Sequence, residues 1–244
     1  MKISEILFKL DEIAPFELQD SWDNSGLLIG SKDDEVSNIV LSLDIDDKVI
    51  SKTPNNSLII THHPLIFSGI KQLNFSKYPA NFIQKLIQKS IKLISLHTNF
   101  DKAILNRYVL EKVLKLEVSE KLDDYILIAK IDMSGKEFLE YVKTNLNLPF
   151  TKYTQLPKRV KRIALTTGAG TSLLKKIYNK NIDVFLTGDI KYHEAMESKS
   201  MNLSLIDIGH FESEIHFSKA LSLLLENLEI NIIIIDSENP FHYK

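Results

Sequence analysis

Seven histidines stand in this chain, and five of them fall where an apolar run gives way to a loop. THHPLIF (61–67) places His62 and His63 directly after Ser57-Leu58-Ile59-Ile60-Thr61. LHTNFD (96–101) places His97 after KLISL, and IGHFESE (208–214) places His210 after LSLIDIG. His193 follows VFLTGD by four residues. Carboxylates accompany them: Asp101 stands four residues after His97, and Glu214 four residues after His210. On a helix that spacing puts two side chains on one face, one turn apart, so His210 and Glu214 can meet one metal ion. Adjacent His62 and His63 would point to opposite faces of an extended strand. A turn at Pro64 would bring both toward one site, or toward two neighbouring metals. Imidazoles with carboxylates suit borderline divalent ions such as Zn, Mn, Fe, Co or Ni. His216 and His242 have no comparable company and read as ordinary packed or exposed residues.

Alternating strands and helices must position these groups. Apolar runs predict strands at 38–43, 58–61, 92–96, 125–131, 162–167, 184–187, 203–208 and 230–235. Helical patterns fall at the start (Ile3, Ile6, Leu7, Leu10, Ile13) and over 78–88, 104–114, 135–146, 192–198 and 211–228, with another from Ser172. Ser134 with Glu137 forms a capping box for the helix from Gly135. The alternation implies an α/β fold with parallel or mixed sheets flanked by helices. In such sheets ligands gather at the carboxyl ends of strands, where these histidines stand. A shift in composition at LEVSEKLDD (116–124) is the best candidate boundary.

Other features have plainer readings. TTGAGTS (166–172) could lay a phosphate on a helix N-terminus, but it lacks the third glycine of a dinucleotide fingerprint, because position 173 is Leu, and a tight turn is the plainer reading. Asp44, Asp46 and Asp47 are expected mainly to cap the following helix. Trp22-Asp23-Asn24 could hold a ligand or close a loop over the core. Lys158-Arg159-Val160-Lys161-Arg162 reads as a solvated start of a strand, and the closing SENPFHY as a turn that packs Phe241.

The totals narrow the classes. The chain has 244 residues, no cysteine and a net charge of -2. Disulfides, thiolate nucleophiles and cysteine-ligated metals are excluded. No basic face marks a nucleic-acid binder. The amphipathic start is not a signal peptide, and no apolar run approaches the roughly 20 residues of a membrane span. The expectation is a cytoplasmic protein.

WDNSGL (22–27), THHPLIF, LHTNFD, TGDIKYHEA (187–195) and IGHFESE together resemble a known family. They look like the dinuclear-metal proteins called GTP cyclohydrolase I type 2 homologues, or the Nif-three-like family, and they follow its order along nearly the whole chain. The resemblance implies two metals held by His62, His63, Asp101, His210 and Glu214. It suggests His97 and His193 as nearby site residues, and either could move protons, because an imidazole titrates near neutrality. It implies two α/β lobes with the metal site between them at strand carboxyl ends: residues 1–115 with 210–244, carrying most ligands, and residues 116–209. It further implies a toroidal homohexamer and a small-molecule substrate, GTP, whose imidazole ring is opened by water. A pair of ions about 3.5–4 Å apart needs a bridging ligand, which Asp101 or Glu214 could supply. Two alternatives stand beside this: another metal-dependent hydrolase such as a phosphoesterase, or a ring-forming metal-binding regulatory protein without catalysis.

Overall fold

The computed structural model describes residues 1–242. Ten strands run through the described residues in chain order: β1 (Gly26–Ile29), β2 (Asn38–Ser42), β3 (Leu58–Thr61), β4 (Lys92–Ser95), β5 (Val118–Lys121), β6 (Leu127–Ser134), β7 (Arg159–Leu165), β8 (Val184–Thr187), β9 (Ser204–Asp207) and β10 (Asn231–Ile234). They build two five-stranded mixed sheets flanked by helices, the α/β architecture expected. Two compact units contain them, Met1–Ala103 with Phe217–Pro240, and Ile104–His216 with Phe241 onward.

The first unit orders its sheet β1-β4-β3-β2-β10, with only β1 antiparallel to its neighbour. All four residues of β3 are buried. Strands covered on both faces can be apolar throughout, which explains why LIIT does not alternate. Helices Asp47–Lys52 and Ala80–Gln88 bring Val49, Ile50, Ile83 and Leu86 against Val40, Ile59 and Leu93. Asp46 caps the first of these by accepting from the Val49 amide at 2.7 Å, as its position predicts.

The second unit orders its sheet β5-β6-β7-β8-β9. β7, β8 and β9 are parallel, while β5 and β6 extend the sheet antiparallel. Ile128, Ala164, Phe185 and Leu205 from four strands pack with Leu174 and Ile177. The helix Gly135–Asn145 opens with the expected capping box of Ser134 and Glu137. The basic run lies at the start of β7, where Arg159 pairs with Asp132 and Arg162 with Glu120.

Several expectations change. β1 and β5 were not legible as strands: both are four-residue edge strands, one of half-buried GLLI and one of mostly exposed VSEK. The helix expected from residue 104 begins at Thr98 and continues to Val113 through two π-helical turns, Asp101–Leu105 and Val109–Val113. The long helix expected over 211–228 is two, His210–Glu214 and Phe217–Leu224, broken where the chain returns to the first unit. Phe241, expected to pack, is 68% exposed, and Tyr243 of the same run lies outside the described residues.

Candidate metal centre

Each unit carries one cluster of ligating side chains at the carboxyl ends of its parallel strands. In the first unit, β3 and β4 end side by side, with Thr61 opposite Ser95 and their hydroxyls 2.9 Å apart. His62 follows one and His97 the other, so strand register alone sets them near each other. The chain turns at once after Thr61: the amides of His62 and His63 both donate to the Leu43 carbonyl at 3.2 Å. That turn lets two adjacent histidines face a common point, which an extended strand would forbid. One ligating atom from each of His62, His63 and His97 lies within 4.8 Å of the other two. Asp101, on the first turn after His97, comes within 3.4 Å of His62 Nε2. His62 is wholly buried and Asp101 is 8% exposed.

In the second unit, β8 and β9 end in register, Thr187 opposite Asp207. His210 opens the short helix that follows β9, and Glu214 stands one turn on, with Glu214 Oε2 at 3.0 Å from His210 Nε2. The sequence TTGAG, after β7, is a tight turn whose backbone closes against this pair. Gly168 has φ +59, and a Cβ placed there would lie 2.1 Å from Glu214 Oε1. The turn is held by the Gly168 amide donating to Ser213 Oγ and by the Gly168 carbonyl accepting from the Gly188 amide. No larger residue leaves Glu214 where it is.

The four clustered histidines share one arrangement. In each, Nδ1–H donates to an oxygen: His62 to the Leu96 carbonyl at 2.9 Å, His63 to Asp44 at 2.8 Å, His97 to Asp23 at 2.7 Å and His210 to Asp189 at 2.7 Å. Such bonds fix the tautomer and ring orientation and leave Nε2 as the coordinating nitrogen, the usual support of a metal-binding histidine. The spacings agree. Two atoms each 2.0–2.2 Å from one ion, at angles between octahedral and tetrahedral, are about 3.0–3.5 Å apart. The His210–Glu214 and His62–Asp101 distances fall at 3.0 and 3.4 Å. These residues therefore fit a divalent cation.

The charges point the same way. Burial alone would lower the His210 pKa, but its hydrogen bonds to Asp189 and Glu214 push it up to about 10. Without a metal, a proton sits where two carboxylates call for positive charge. Burial would raise Asp23, yet hydrogen bonds from His97 and Thr98 outweigh it and hold this carboxyl far below the carboxylate range.

His193 stands elsewhere. It is exposed on the helix Tyr192–Ser200, its ring edge-on to Tyr192 at 5.4 Å, and it joins no group of ligating atoms among the described residues. The residues that sequence reasoning missed are the supporting carboxylates. Asp44 and Asp189 each follow the end of a strand closely, β2 and β8, which is the one signal that could have marked them. Asp23 lies in a loop and is 74 residues from its histidine.

The profile of the Duf34/NIF3 (NGG1p interacting factor 3) family matches residues 1–240. The chain belongs to the Duf34/NIF3 family. A GTP cyclohydrolase 1 type 2 homolog of Campylobacter jejuni is 48% identical to this Duf34/NIF3 chain over 244 residues, covering all of both. A protein of Helicobacter pylori named GTP cyclohydrolase 1 type 2 is 36% identical over 238 residues, covering 98% of this chain and 97% of its own. Among solved structures, a hypothetical protein of Staphylococcus aureus superposes with a TM-score of 0.88 at 30% identity, covering 100% and 99% of the two chains. Among the described residues of this Duf34/NIF3 protein, no helix is long and apolar enough to cross a membrane.

Proposed function

We propose that this Duf34/NIF3 protein is a dinuclear-metal-dependent hydrolase that opens the imidazole ring of GTP. His62, His63, Asp101, His210 and Glu214 would ligate two divalent ions. One observation carries this: four histidines at strand ends have their Nδ1–H groups committed to oxygen acceptors, an arrangement that prepares Nε2 for a metal at His62, His63 and His210 and for a proton at His97. The names of two relatives, GTP cyclohydrolase 1 type 2 and its homolog, support GTP as the substrate in this reading.

When bound, such ions supply Lewis acidity and lower the pKa of a coordinated water toward about 7. The chain's own residues do the rest. Asp44 and Asp189 orient His63 and His210. Asp23 holds His97 in one tautomer, with Thr98 donating both its amide and its hydroxyl to the same carboxylate. An imidazole so held, within reach of the cluster, is suited to accept a proton from the attacking water and return it to a leaving nitrogen. His97 thus has the surroundings for the proton transfer expected of it, and exposed His193 does not. Neither a hexamer nor a cytoplasmic site is needed for this chemistry; the hexamer is proposed from the family resemblance and the cytoplasmic site from the composition.

The test is metal content per chain by elemental analysis, native beside Glu214→Ala, followed by formate release from GTP. About two ions per native chain, fewer in the variant, and formate from GTP would support the proposal. Phosphate release from phosphoesters without formate would favour a phosphoesterase. Bound metal with no turnover on any nucleotide would favour a regulatory protein. A native chain that takes up no Zn, Mn or Fe would refute the metal assignment.

A further inference from the structure

The WDNSG loop spends three of its polar side chains on structure. Asp23 holds His97, and Asn24 Nδ2 donates to the Ile66 carbonyl at 2.6 Å, tying this loop to the segment after the double histidine. Ser25 donates to Asp23 and accepts from the His97 amide. Trp22 takes no share in this. It is 57% exposed, yet the residues on its carboxyl side are pinned. Phe67, next to the anchored Ile66, is 51% exposed. The two rings lie 5.9 Å apart, tilted by 45°. Both meet His97 edge-on, with centroids at 6.0 and 6.3 Å. A large indole left half in water is unfavourable unless something covers it. Here what anchors it is the same network that orients a histidine of the metal-capable cluster.

We propose that Trp22 and Phe67 form the wall on which the flat base of a purine nucleotide stacks, beside His97. The inference rests on the hydrolase reading and adds to it the part of the substrate that is recognised. A planar base suits two fixed aromatic surfaces because stacking needs no induced order and works on any π face. A triphosphate alone would gain nothing from them. A base stacked on either ring would lie nearly perpendicular to the His97 ring, as both rings do.

Trp22 is the single tryptophan of the chain, so its emission reports the wall directly. The metal-loaded protein is titrated with GTP, with guanosine and with inorganic triphosphate. GTP and guanosine should quench Trp22 saturably, and triphosphate should not. Base stacking measured by alanine substitution corresponds to about a 5- to 150-fold loss of affinity. Trp22→Ala, followed by calorimetry, and Phe67→Ala, followed by Trp22 emission, should fall in that range for GTP. Trp22→Phe should recover most of it, and metal content should stay native in all three. Quenching by triphosphate equal to that by guanosine, no quenching by GTP, or native GTP affinity in Trp22→Ala would overturn the proposal. The two readings fail separately. Formate release with an unchanged KM in Trp22→Ala leaves the hydrolase and removes the wall. Base-dependent quenching without formate keeps the wall and removes the hydrolase.

Discussion

Gly168→Ala should empty the second cluster of metal while leaving the protein folded. The added Cβ would lie 2.1 Å from Glu214 Oε1 and 3.1 Å from Glu214 Cδ, whereas real Cβ contacts essentially never fall under 3.0 Å. Glu214 must therefore retreat by about 1 Å, several times the roughly 0.2 Å tolerance of a metal–ligand bond. It is 3% exposed and has little room to re-aim. Disturbing the support of a ligand typically costs 10- to 100-fold in metal affinity, and displacing the ligand itself should cost at least about 100-fold. Stability should suffer less, because the clashing atom is the tip of a flexible side chain. The left-handed backbone at φ +59 adds about 1–2 kcal/mol for a residue with a Cβ. For a chain of this size that is about 2–8 °C in Tm. Zinc competition against a chromophoric chelator would measure the affinity, and circular dichroism the Tm. Gly69→Ala serves as the control, since its Cβ would meet nothing within 4 Å. Native zinc affinity in Gly168→Ala would refute the argument that this glycine exists to admit the Glu214 carboxylate.

The three aspartates after β2 should separate by assay. Asp44→Ala should weaken metal binding about 10- to 100-fold by freeing His63. Asp46→Ala should leave metal binding alone and cost about 1 kcal/mol of stability through the lost cap. Asp47→Ala, which removes only an exposed pair with Lys85, should change neither. Phe217 packs on both His62 and Phe100, at 5.2 and 4.9 Å, so Phe217→Ala should cost about 3–5 kcal/mol in urea unfolding. Acid stability should depend on Asp123. Burial raises its pKa, but the Lys176 hydrogen bond and the amides of Ile126 and Tyr125 outweigh this and hold it low in the folded chain. Its contribution is then present above the unfolded value of about 3.9 and is lost as pH falls through the folded one. Asp123→Asn should be less stable than the native chain at neutral pH, and the gap should close in thermal melts as pH drops below about 4.

The residues that cluster were legible and their supports were not. His62, His63, His97 and His210 could be singled out because each directly follows a strand-like run, and the carboxyl ends of parallel strands collect functional groups wherever the fold is α/β. Asp101 and Glu214 followed from helical spacing, which is local. Residue spacing could not show that His62 and His63 face one point. That depends on both amides sharing the Leu43 carbonyl, 19 and 20 residues earlier in the chain. Asp46 could be read as a cap from the next helix, but Asp44 reads the same way, and its place just after β2 does not name His63 as its partner. TTGAG read correctly as a tight turn, but the need for glycine at 168 comes from a carboxylate 46 residues away. β1 and β5 escaped notice because a four-residue edge strand buries too little to impose a periodicity.

What the amino-acid sequence by itself determined was the chemistry on offer: imidazoles and carboxylates without thiolates, strands and helices in alternation, and the ends at which the histidines stand. Backbone propensity, burial period and turn signals all act over a few residues, so they can be read along the chain. Only tertiary structure decided how those groups are aimed. Each histidine's orientation is set by an oxygen brought to it from 19 to 74 residues away, Asp44, Leu96, Asp23 or Asp189, and the room for Glu214 by the missing side chain of Gly168. Hydrogen bonds and excluded volume act through space, and a linear pattern holds no record of which distant atoms the fold will bring into contact.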